Sequence, residues 1–483
     1  MKQVANFSLL TKLFATIMLT AAISYGQKAS AQQVITIQQA VENTLKNNLQ
    51  IKQAEFSAAL SDETLRQSKY ALYPSLNGSA SYNKNFGRSI DPSTNQYITE
   101  QFSSANGSIS AGADLFQGFQ KINVIKQNKI LLDADKTNIE KIKNDLILSV
   151  VTGYMQILYN RDLLAASEEQ LKVAQQTSNR EQALLDAGNK TLADVSQAKS
   201  QVAVAELNVT NAQNNLSISY LTLNQLMEMP ANSKFEVQVP LVSDAKIAQD
   251  SYDASAIYTT ALNTFPDIKL AALRTAAAEK EIDIAKGNYS PRLSIGGGFG
   301  SNYSSGRQII TSASPNGTRV IGKTGTTNED VVVPDFSYTY ATQNFNNQLK
   351  DNFNQFVGLS LSIPIFNGFA ARSSVRKAKI NYQNIQVQES LAKNNLSKVI
   401  SQAVLDLRAA ESRYASTQNA FNAQKDAYYV VEQRYNVGLV NSLDYSTALT
   451  NRNKAEIDMI QAKYDLIFRA KVIDYYLGRQ ITF

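Results

Sequence analysis

Carboxylate side chains are the main groups in this chain from which acid–base or metal chemistry could be built. The 483 residues include 41 Asp and Glu but neither His nor Cys. Triads built on His or Cys, HExxH zinc sites, thiolate metal sites and disulfides are therefore excluded. An enzyme acting through carboxylates alone would need them clustered in a compact pocket. The acids here are scattered along segments of helical period, so the sequence predicts no catalytic, cofactor-binding or metal site.

Two acids nevertheless recur at the same distance from a glycine. Gly188 and Asp194 lie in "LLDAGNKTLADV", and Gly438 and Asp444 lie in "RYNVGLVNSLDY", 250 residues further on. Glycine commonly ends a helix, and the start of the next helix favours a carboxylate through the helix dipole. The pattern predicts two helix–turn–helix reversals, and helix capping alone is sufficient to explain either acid.

The spacing of 250 belongs to a repeat that covers most of the chain. "LFQGF" at 115–119 matches "IFNGF" at 365–369 with that offset, whereas "IKQA" at 51–54 matches "IKLA" at 268–271 with an offset of 217. The second copy therefore contains an insertion, and the polar stretch that follows Pro291 supplies it. We expect two structural repeats, 32–250 and 251–483.

Most of each repeat has the period of a helix. The stretch from Phe119 to Ala187 contains no proline, and Ala198, Ala205 and Ala212 recur every seven residues beyond it. Such spacing indicates a coiled-coil seam of small residues, although any single stripe would also suit an ordinary helical core. We expect long helices at 119–187, 192–228, 369–436 and 442–478, which favour a long, thin bundle or tube.

Between the helices, each repeat contains a stretch of strand-like alternation. Leu293, Ile295 and Phe299 alternate with serine and glycine, and Val357 and Leu359 do so on the return side. A period of two with one apolar face is typical of half-buried strands. We therefore expect hairpins at about 75–117 and 291–365, with long polar loops at their tips, roughly 83–105 and 303–351.

Two hairpins supply only four strands, too few to close a barrel with a lumen. Open edges would leave backbone groups unpaired, which lipid does not tolerate. Three copies would supply twelve strands, and the alternation and long loops suit a barrel in the outer membrane. The alternative is a soluble sheet packed on helices.

The first 31 residues have the pattern of a secretory signal peptide. Lys2 and Lys12 precede an apolar segment at 13–23, and "ASA" at 29–31 is a small-residue cleavage pattern. A membrane anchor is the alternative, but this apolar run is too short to span a bilayer. The three lysines of this segment account for half of the net charge of +6. The remaining net charge of +3 is too small to indicate a nucleic-acid-binding surface.

These features together resemble one family, the TolC-like outer-membrane efflux proteins, also called outer membrane factors. The resemblance is carried by "ITIQQAVENTLKNNLQIKQA" at 35–54, "YPSL" and "YSPRL" before the strands, "LFQGF" and "PIFNGF" after them, and "YNVGLVNSLDY" at the second reversal. No single motif is specific. Their order, duplicated at constant offsets across nearly the whole chain, makes the resemblance strong.

The resemblance implies a mainly α fold with a transmembrane β-barrel. A homotrimer would place a twelve-stranded barrel, four strands per chain, in the lipid of the outer membrane and a coiled-coil α-helical tunnel in the periplasm. Its function would be that of the outer-membrane channel-tunnel of a tripartite efflux or type I secretion system. This passive exit duct, not an enzyme, would dock to a periplasmic adaptor (membrane fusion) protein and to an inner-membrane efflux pump or secretion ATPase.

The alternative function is that of a non-channel periplasmic coiled-coil or adaptor protein of a secretion apparatus. An adaptor should contain one helical hairpin together with lipoyl-like and barrel-like β domains. This chain instead duplicates a whole helix–strand–helix unit, which favours the channel.

The resemblance also assigns roles at the two reversals. Tyr435 and Asp194 match positions whose link helps to hold the family's tunnel shut, and Asp444 matches an inward-facing acid that narrows its periplasmic entrance. Val440 and Thr447 stand where the best-known member has an arginine and a second aspartate, which implies a gate with fewer charges here.

The turns themselves match the family's docking surface for the adaptor. Val437, Gly438 and Leu439 resemble the adaptor-docking motif at the second turn. Gly188, between Ala187 and Asn189, belongs to its more divergent partner at the first turn.

Overall fold

The computed structural model describes residues 33–90, 95, 97–99, 101–239 and 252–479. The expected signal peptide, 1–31, and the expected boundary between the repeats at 250–251 lie outside these residues. The elements are, in chain order, β1 (Gln33–Ile35), α1 (Ile37–Asn47), α2 (Leu49–Tyr70), β2 (Ser75–Asn85), β3 (Ser89–Ile90), β4 (Tyr97–Ile98), β5 (Phe102–Gln117), α3 (Gln120–Asp186), α4 (Leu192–Leu226), β6 (Phe235–Val237), α5 (Ala254–Thr264), α6 (Pro266–Lys286), a 3-10 turn (Gly287–Tyr289), β7 (Arg292–Ser304), β8 (Gln308–Lys323), β9 (Asp330–Thr342), α7 (Phe345–Asp351), β10 (Asn354–Ser362), α8 (Ala370–Asn436) and α9 (Ser442–Tyr476).

The chain divides into two units, which are described separately. The helical unit comprises the described parts of Met1–Ser57, Asp135–Ala271 and Glu389–Phe483. The sheet unit comprises those of Ala58–Ala134 and Ala272–Gln388. Several helices, α3 and α8 among them, contribute residues to both units.

The long helices repeat with the same lengths in both copies. Helices α3 and α8 have 67 residues each, and α4 and α9 have 35 each. Each member of a pair begins 250 residues from the other, so the two copies contain no insertion in this part. In the described ranges, no helix combines the length and the hydropathy that crossing a membrane would require.

The alanine stripe lies on the packed side of α4. Ala198, Ala205 and Ala212 are buried, and Ser219 continues the series. On α9, Ala455 and Ala462 are buried in the same way. Small side chains at this spacing allow neighbouring helix backbones to approach closely.

Each half of the helical unit has its own apolar core. In the first, Val150 and Ile157 of α3 pack with Leu223 of α4 and with Ile35 of β1. In the second, Ile400 and Leu407 of α8, 250 residues further along, pack with residues of α5 and α9. The repeat is therefore visible in the packing as well as in the sequence.

A short parallel pair of strands, β1 and β6, closes the first core. Tyr154 is fully buried beneath it, and the single hydrogen of its hydroxyl is shared between the carbonyls of Gln238 at 2.7 Å and Ile35 at 3.0 Å. Burial raises the pKa of Tyr154 to about 12, so this hydroxyl remains a donor throughout the neutral range.

The sheet unit contains a four-stranded antiparallel sheet in the order β10-β7-β5-β2. The expected two hairpins therefore pair with each other through β5 and β7. A bulge between Asp114 and Phe116 places Phe116, not Leu115, opposite Leu293, because the extra residue shifts the side-chain alternation by one.

The expected polar loop at 303–351 is wrong as a description of this segment. Strands β8 and β9 form an antiparallel ribbon of their own, and α7 follows it. At its base, the buried amide of Gln348 donates to the carbonyls of Ser304 and Gln343, and its oxygen accepts from the Ser304 N–H. The prediction failed because the strand-forming residues of this segment stand among many Gly, Ser and Thr residues, which are typical of a loop.

Candidate functional site

The first helix reversal ends α3 with a glycine in the left-handed conformation. Gly188 has φ +78°, its N–H donates to the Leu185 carbonyl at 2.8 Å, and the Asn189 N–H donates to the Leu184 carbonyl at 2.8 Å. This is the Schellman pattern, in which glycine carries no steric penalty.

The second reversal has the same geometry. Gly438 has φ +79°, its N–H donates to the Tyr435 carbonyl at 3.1 Å, and the Leu439 N–H donates to the Arg434 carbonyl at 2.9 Å. The two turns thus differ in their side chains and hardly at all in their backbone.

Asp194 closes a capping box at the start of α4. Its carboxylate accepts from the Thr191 hydroxyl at 2.7 Å and from the Thr191 N–H at 3.1 Å. Its other oxygen accepts from the hydroxyl of Ser442, at the start of α9. The hydrogen bond from Ser442, followed by those from Thr191, lowers the pKa of Asp194 to about 2. Helix capping therefore accounts for the contacts of one carboxylate oxygen of Asp194, and a hydrogen bond to the second reversal accounts for those of the other.

Asp444 occupies the equivalent position of α9 with a different set of contacts. Asn441 caps this helix, and its side-chain oxygen accepts from the Asp444 N–H at 2.8 Å. The Asp444 carboxylate itself is exposed to solvent.

Tyr435 lies buried at the end of α8, with 4% of its surface exposed. Its hydroxyl donates to the carboxylate of Glu181 on α3, and its ring stacks on Tyr445 with the ring centroids 4.5 Å apart. The Lys190 ammonium lies 4.8 Å from the centroid of the Tyr435 ring. Burial, reinforced by the Glu181 carboxylate, raises the pKa of Tyr435.

Glu181 is a buried acid with two partners. Only 1% of its side chain is exposed, and the Lys190 ammonium lies 3.4 Å from its second oxygen. A buried carboxylate is costly unless it is paired and hydrogen-bonded. The Tyr435 hydroxyl supplies a hydrogen bond to one oxygen, and the Lys190 ammonium supplies the opposite charge beside the other, which has no hydrogen-bond partner among the described residues. The three residues connect the end of the first hairpin to the end of the second.

The expected partners, Tyr435 and Asp194, are not hydrogen-bonded to each other in this protomer. The structure brings each to the opposite helical hairpin through a different residue, Glu181 for Tyr435 and Ser442 for Asp194. Two links therefore lie where the sequence predicted one. The role of Asp194, Tyr435 and Asp444 as a gate remains a prediction.

Sequence reasoning missed Glu181, Lys190 and Tyr445. A signal for them exists in the repeat itself. At the offset of 250, Glu181 corresponds to Val431 and Lys190 to Val440, whereas Tyr445 corresponds to Val195. A comparison of the two copies at each position marks these residues, because polar side chains in one copy stand opposite valines in the other.

The predicted docking residues lie at the tips of the two turns. Val437 is 71% exposed and Leu439 is 73% exposed, and Gly188 and Gly438 between their neighbours are also exposed. Leu443 adds a third exposed apolar side chain beside the second turn. Apolar side chains held outward by a rigid turn are typical of a contact surface for another protein.

No group of three or more acidic side chains in the described part of the chain is arranged to hold a metal ion. The features of this region are the hydrogen-bonded links between the two helical hairpins and the exposed apolar side chains at the turns.

Comparison with known proteins decides the family. The family profile described as outer membrane efflux protein matches residues 40–227 and 257–479. The chain belongs to the outer membrane efflux protein family. The resemblance inferred from the motifs is thereby confirmed, and the family is one of passive outer-membrane channels, not of enzymes.

Individual relatives agree over nearly the full length. The chain is 22% identical to the outer membrane efflux protein BepC of Brucella suis over 467 residues, which cover 96% of this chain and 89% of BepC. It is 21% identical to the outer membrane protein TolC of Escherichia coli over 462 residues, 94% of this chain and 85% of TolC.

The solved structure of the Campylobacter jejuni CmeC outer membrane channel has a similar fold. The TM-score is 0.72 at 18% identity, over 92% of this chain and 85% of CmeC. The efflux-protein fold predicted from the sequence, a long helical part with a barrel sheet, is confirmed. This efflux protein is an outer-membrane channel-tunnel, and it is located in the outer membrane. The alternative of a non-channel adaptor is thereby set aside.

Proposed function

We propose that three copies of this efflux protein assemble into one export duct. The observation that carries this proposal is the four-stranded sheet, whose outer strands β2 and β10 each have one edge that no strand of the described residues pairs with. Unpaired edges in lipid are untenable, so β10 of one copy pairs with β2 of the next. Three copies then give a closed twelve-stranded barrel, and the helical hairpins of each copy contribute one third of a tunnel.

Heat-modifiable migration tests the trimer. The full-length chain, extracted from outer membranes in mild detergent, is expected to migrate as a trimer before boiling and as a monomer afterwards. Val357→Pro, which removes a backbone N–H donor from the edge strand β10, is compared with Gly358→Ala, which keeps the donor in the same strand. Unboiled wild-type protein that migrates only as a monomer in detergent contradicts the trimer.

The second part of the proposal is that the helix reversals form the periplasmic gate of this duct. Asp194 and Tyr435, through Ser442 and Glu181, tie the two hairpins of one protomer together, and Asp444 lies exposed at the entrance. Closing then depends on links that are internal to each protomer. Three Asp444 carboxylates near one axis would repel each other, which favours binding of cations at the entrance.

The third part is that the exposed tips dock to a periplasmic adaptor. Val437, Gly438 and Leu439 of the second turn, with Gly188 of the first, present the contact surface. The adaptor connects the duct to an inner-membrane efflux pump or secretion ATPase, which supplies the energy. The duct itself performs no chemistry.

Site-specific photocrosslinking tests the docking surface in cells. A photoreactive amino acid at Leu439 is expected to capture the adaptor, whereas the same group at Leu207 is not. Leu207 is a suitable control because it is also exposed, at 58%, but lies on the shaft of α4. Equal capture at both positions, or capture at Leu207 alone, contradicts the assignment.

A further inference from the structure

The register of the four-stranded sheet separates its side chains into two faces of opposite character. Residues paired across the strands share a face, because side chains alternate along each strand. One face is apolar and includes Leu76, Ile109, Ile295, Phe299 and Leu359. In outer-membrane barrels the apolar face meets lipid and the other face lines the lumen.

The other face is made almost entirely of small or polar residues. Its members in the paired strands are Ser75, Asn77, Ser79, Ser81, Asn83 and Asn85 of β2, Phe102, Ser104, Asn106, Ser108, Ser110, Gly112, Asp114 and Gln117 of β5, Arg292, Ser294, Gly296, Gly298, Gly300, Asn302 and Ser304 of β7, and Asn354, Phe356, Gly358, Ser360 and Ser362 of β10. Two large apolar side chains belong to this face, Phe102 and Phe356; Phe102 is buried, with 3% of its surface exposed, whereas 60% of the surface of Phe356 is exposed.

The ring of Phe356 lies across the neighbouring strand. Its register partner is Gly298, where an added Cβ atom would stand 3.1 Å from Cε1 of the ring and 2.7 Å from the carbonyl oxygen of Ile109. Glycine at this position therefore leaves the space that the ring occupies. Any side chain there would lift the ring or shift the strands.

A depression of about 530 Å³ opens beside this ring. Gly112, Gly296 and Gly358, on three adjacent strands, form part of its floor, and Asp114 lies on its border. Glycines within strands commonly mark places where another molecule approaches the backbone closely. Asp114 is paired with the Lys121 ammonium at 2.9 Å, so this border is polar without a large net charge.

We propose that Phe356 and the glycine floor beside it form a contact site for planar aromatic cargo on the lumen wall of the barrel. A flat molecule can lie on the glycines with its edge or face against the Phe356 ring, which is the contact geometry that aromatic rings prefer. The rest of this wall is polar and offers such cargo little apolar contact. A planar aromatic molecule should therefore stay bound longest beside the Phe356 ring. The inference rests on the proposed trimer, which places this face in the lumen.

Single-channel recording with a blocking probe tests the site. Full-length protein in planar bilayers is exposed to ethidium, a planar aromatic cation, and to tetrabutylammonium, a cation of the same charge without a ring. Phe356→Ser is expected to shorten the ethidium block by about two- to tenfold, the size of a contact between two aromatic rings. The tetrabutylammonium block is expected to stay unchanged.

Two further variants separate the ring from mere bulk and protect the test against misfolding. Phe356→Tyr keeps the ring and is expected to behave as wild type. Phe356→Leu keeps an apolar side chain, is compatible with a strand, and is expected to shorten the ethidium block like Phe356→Ser. Wild-type ethidium block in Phe356→Leu channels overturns the aromatic site but leaves the duct intact. Wild-type protein that forms no channels overturns the proposed trimer and the site with it.

Discussion

Removing one oxygen atom from Tyr435 tests the link between the two helical hairpins. In Tyr435→Phe, the ring can keep its stack on Tyr445 and its position over Lys190, whereas the Glu181 carboxylate loses its hydroxyl donor. The buried carboxylate keeps only the Lys190 ammonium at 3.4 Å. The variant therefore removes the hydrogen bond to Glu181 and the long contact of 3.5 Å that Lys190 donates to the hydroxyl, and it changes little of the packing.

The magnitude follows from the charge and burial of the acceptor. A hydrogen bond to a charged group contributes about 1.5–3 kcal/mol. Since Glu181 is almost fully buried, water does not readily replace the lost donor. If the link is broken when the entrance opens, the open-to-closed ratio rises by roughly 10- to 150-fold, at about 1.4 kcal/mol for each factor of ten.

Single-channel open probability in planar bilayers is the assay. Tyr445→Phe is the matched control, because the Tyr445 hydroxyl contacts only neutral groups, Tyr428 at 3.0 Å and Thr177 at 3.4 Å, among its described contacts. A neutral hydrogen bond contributes about 0.5–1.5 kcal/mol, so its effect should be roughly 2- to 10-fold. An open probability in Tyr435→Phe that equals wild type, or that does not exceed the control, refutes the reasoning.

Three further predictions concern pH, a turn and the core. Because hydrogen bonds depress the pKa of Asp194 to about 2 in the folded state, its contribution to stability is complete above pH about 4 and disappears as the pH falls towards 2. The difference in thermal midpoint between wild type and Asp194→Asn should therefore shrink over that range. Gly438→Ala should lower the opening free energy of the turn, measured by native-state hydrogen exchange, by about 1–2 kcal/mol. The cost comes from the backbone conformation, because φ is +79° and the added Cβ would clash with no other atom. Tyr154→Phe should lower the free energy of unfolding in denaturant by about 1–3 kcal/mol, because the buried carbonyl of Ile35 and the partly buried carbonyl of Gln238 lose a donor.

Each of these has a control within the chain. Asp444→Asn should show a smaller change at neutral pH than Asp194→Asn, because the Asp444 carboxylate is exposed. Gly438→Asn should cost less than Gly438→Ala, since Asn tolerates the left-handed region better. Tyr82→Phe removes a hydroxyl from a side chain that is 68% exposed and should leave stability unchanged. Equal effects in a variant and its control would show that the named contact is not the cause.

The features that depend on residues close together in the chain could be predicted from the sequence. The sevenfold recurrence of Ala198, Ala205 and Ala212 is a property of one helix, and burial of all three follows from its period. Gly188 and Gly438 mark the reversals because a left-handed residue is a local requirement. The β8–β9 ribbon was missed although Phe336, Tyr338 and Tyr340 alternate in it, since Gly, Ser and Thr around them favour a loop.

The features that join distant segments were decided only by the tertiary structure. The family resemblance implied a link between Tyr435 and Asp194, but packing of α3 against α8 brings Glu181 to the Tyr435 hydroxyl instead. The position of Phe356 over Gly298 likewise needs the register between β10 and β7, which no period within one strand specifies. Periodicity records which side of an element is buried, because it depends on backbone geometry alone. Which side chain meets which across two elements depends on their relative rotation and shift, and these are fixed only when the whole core packs.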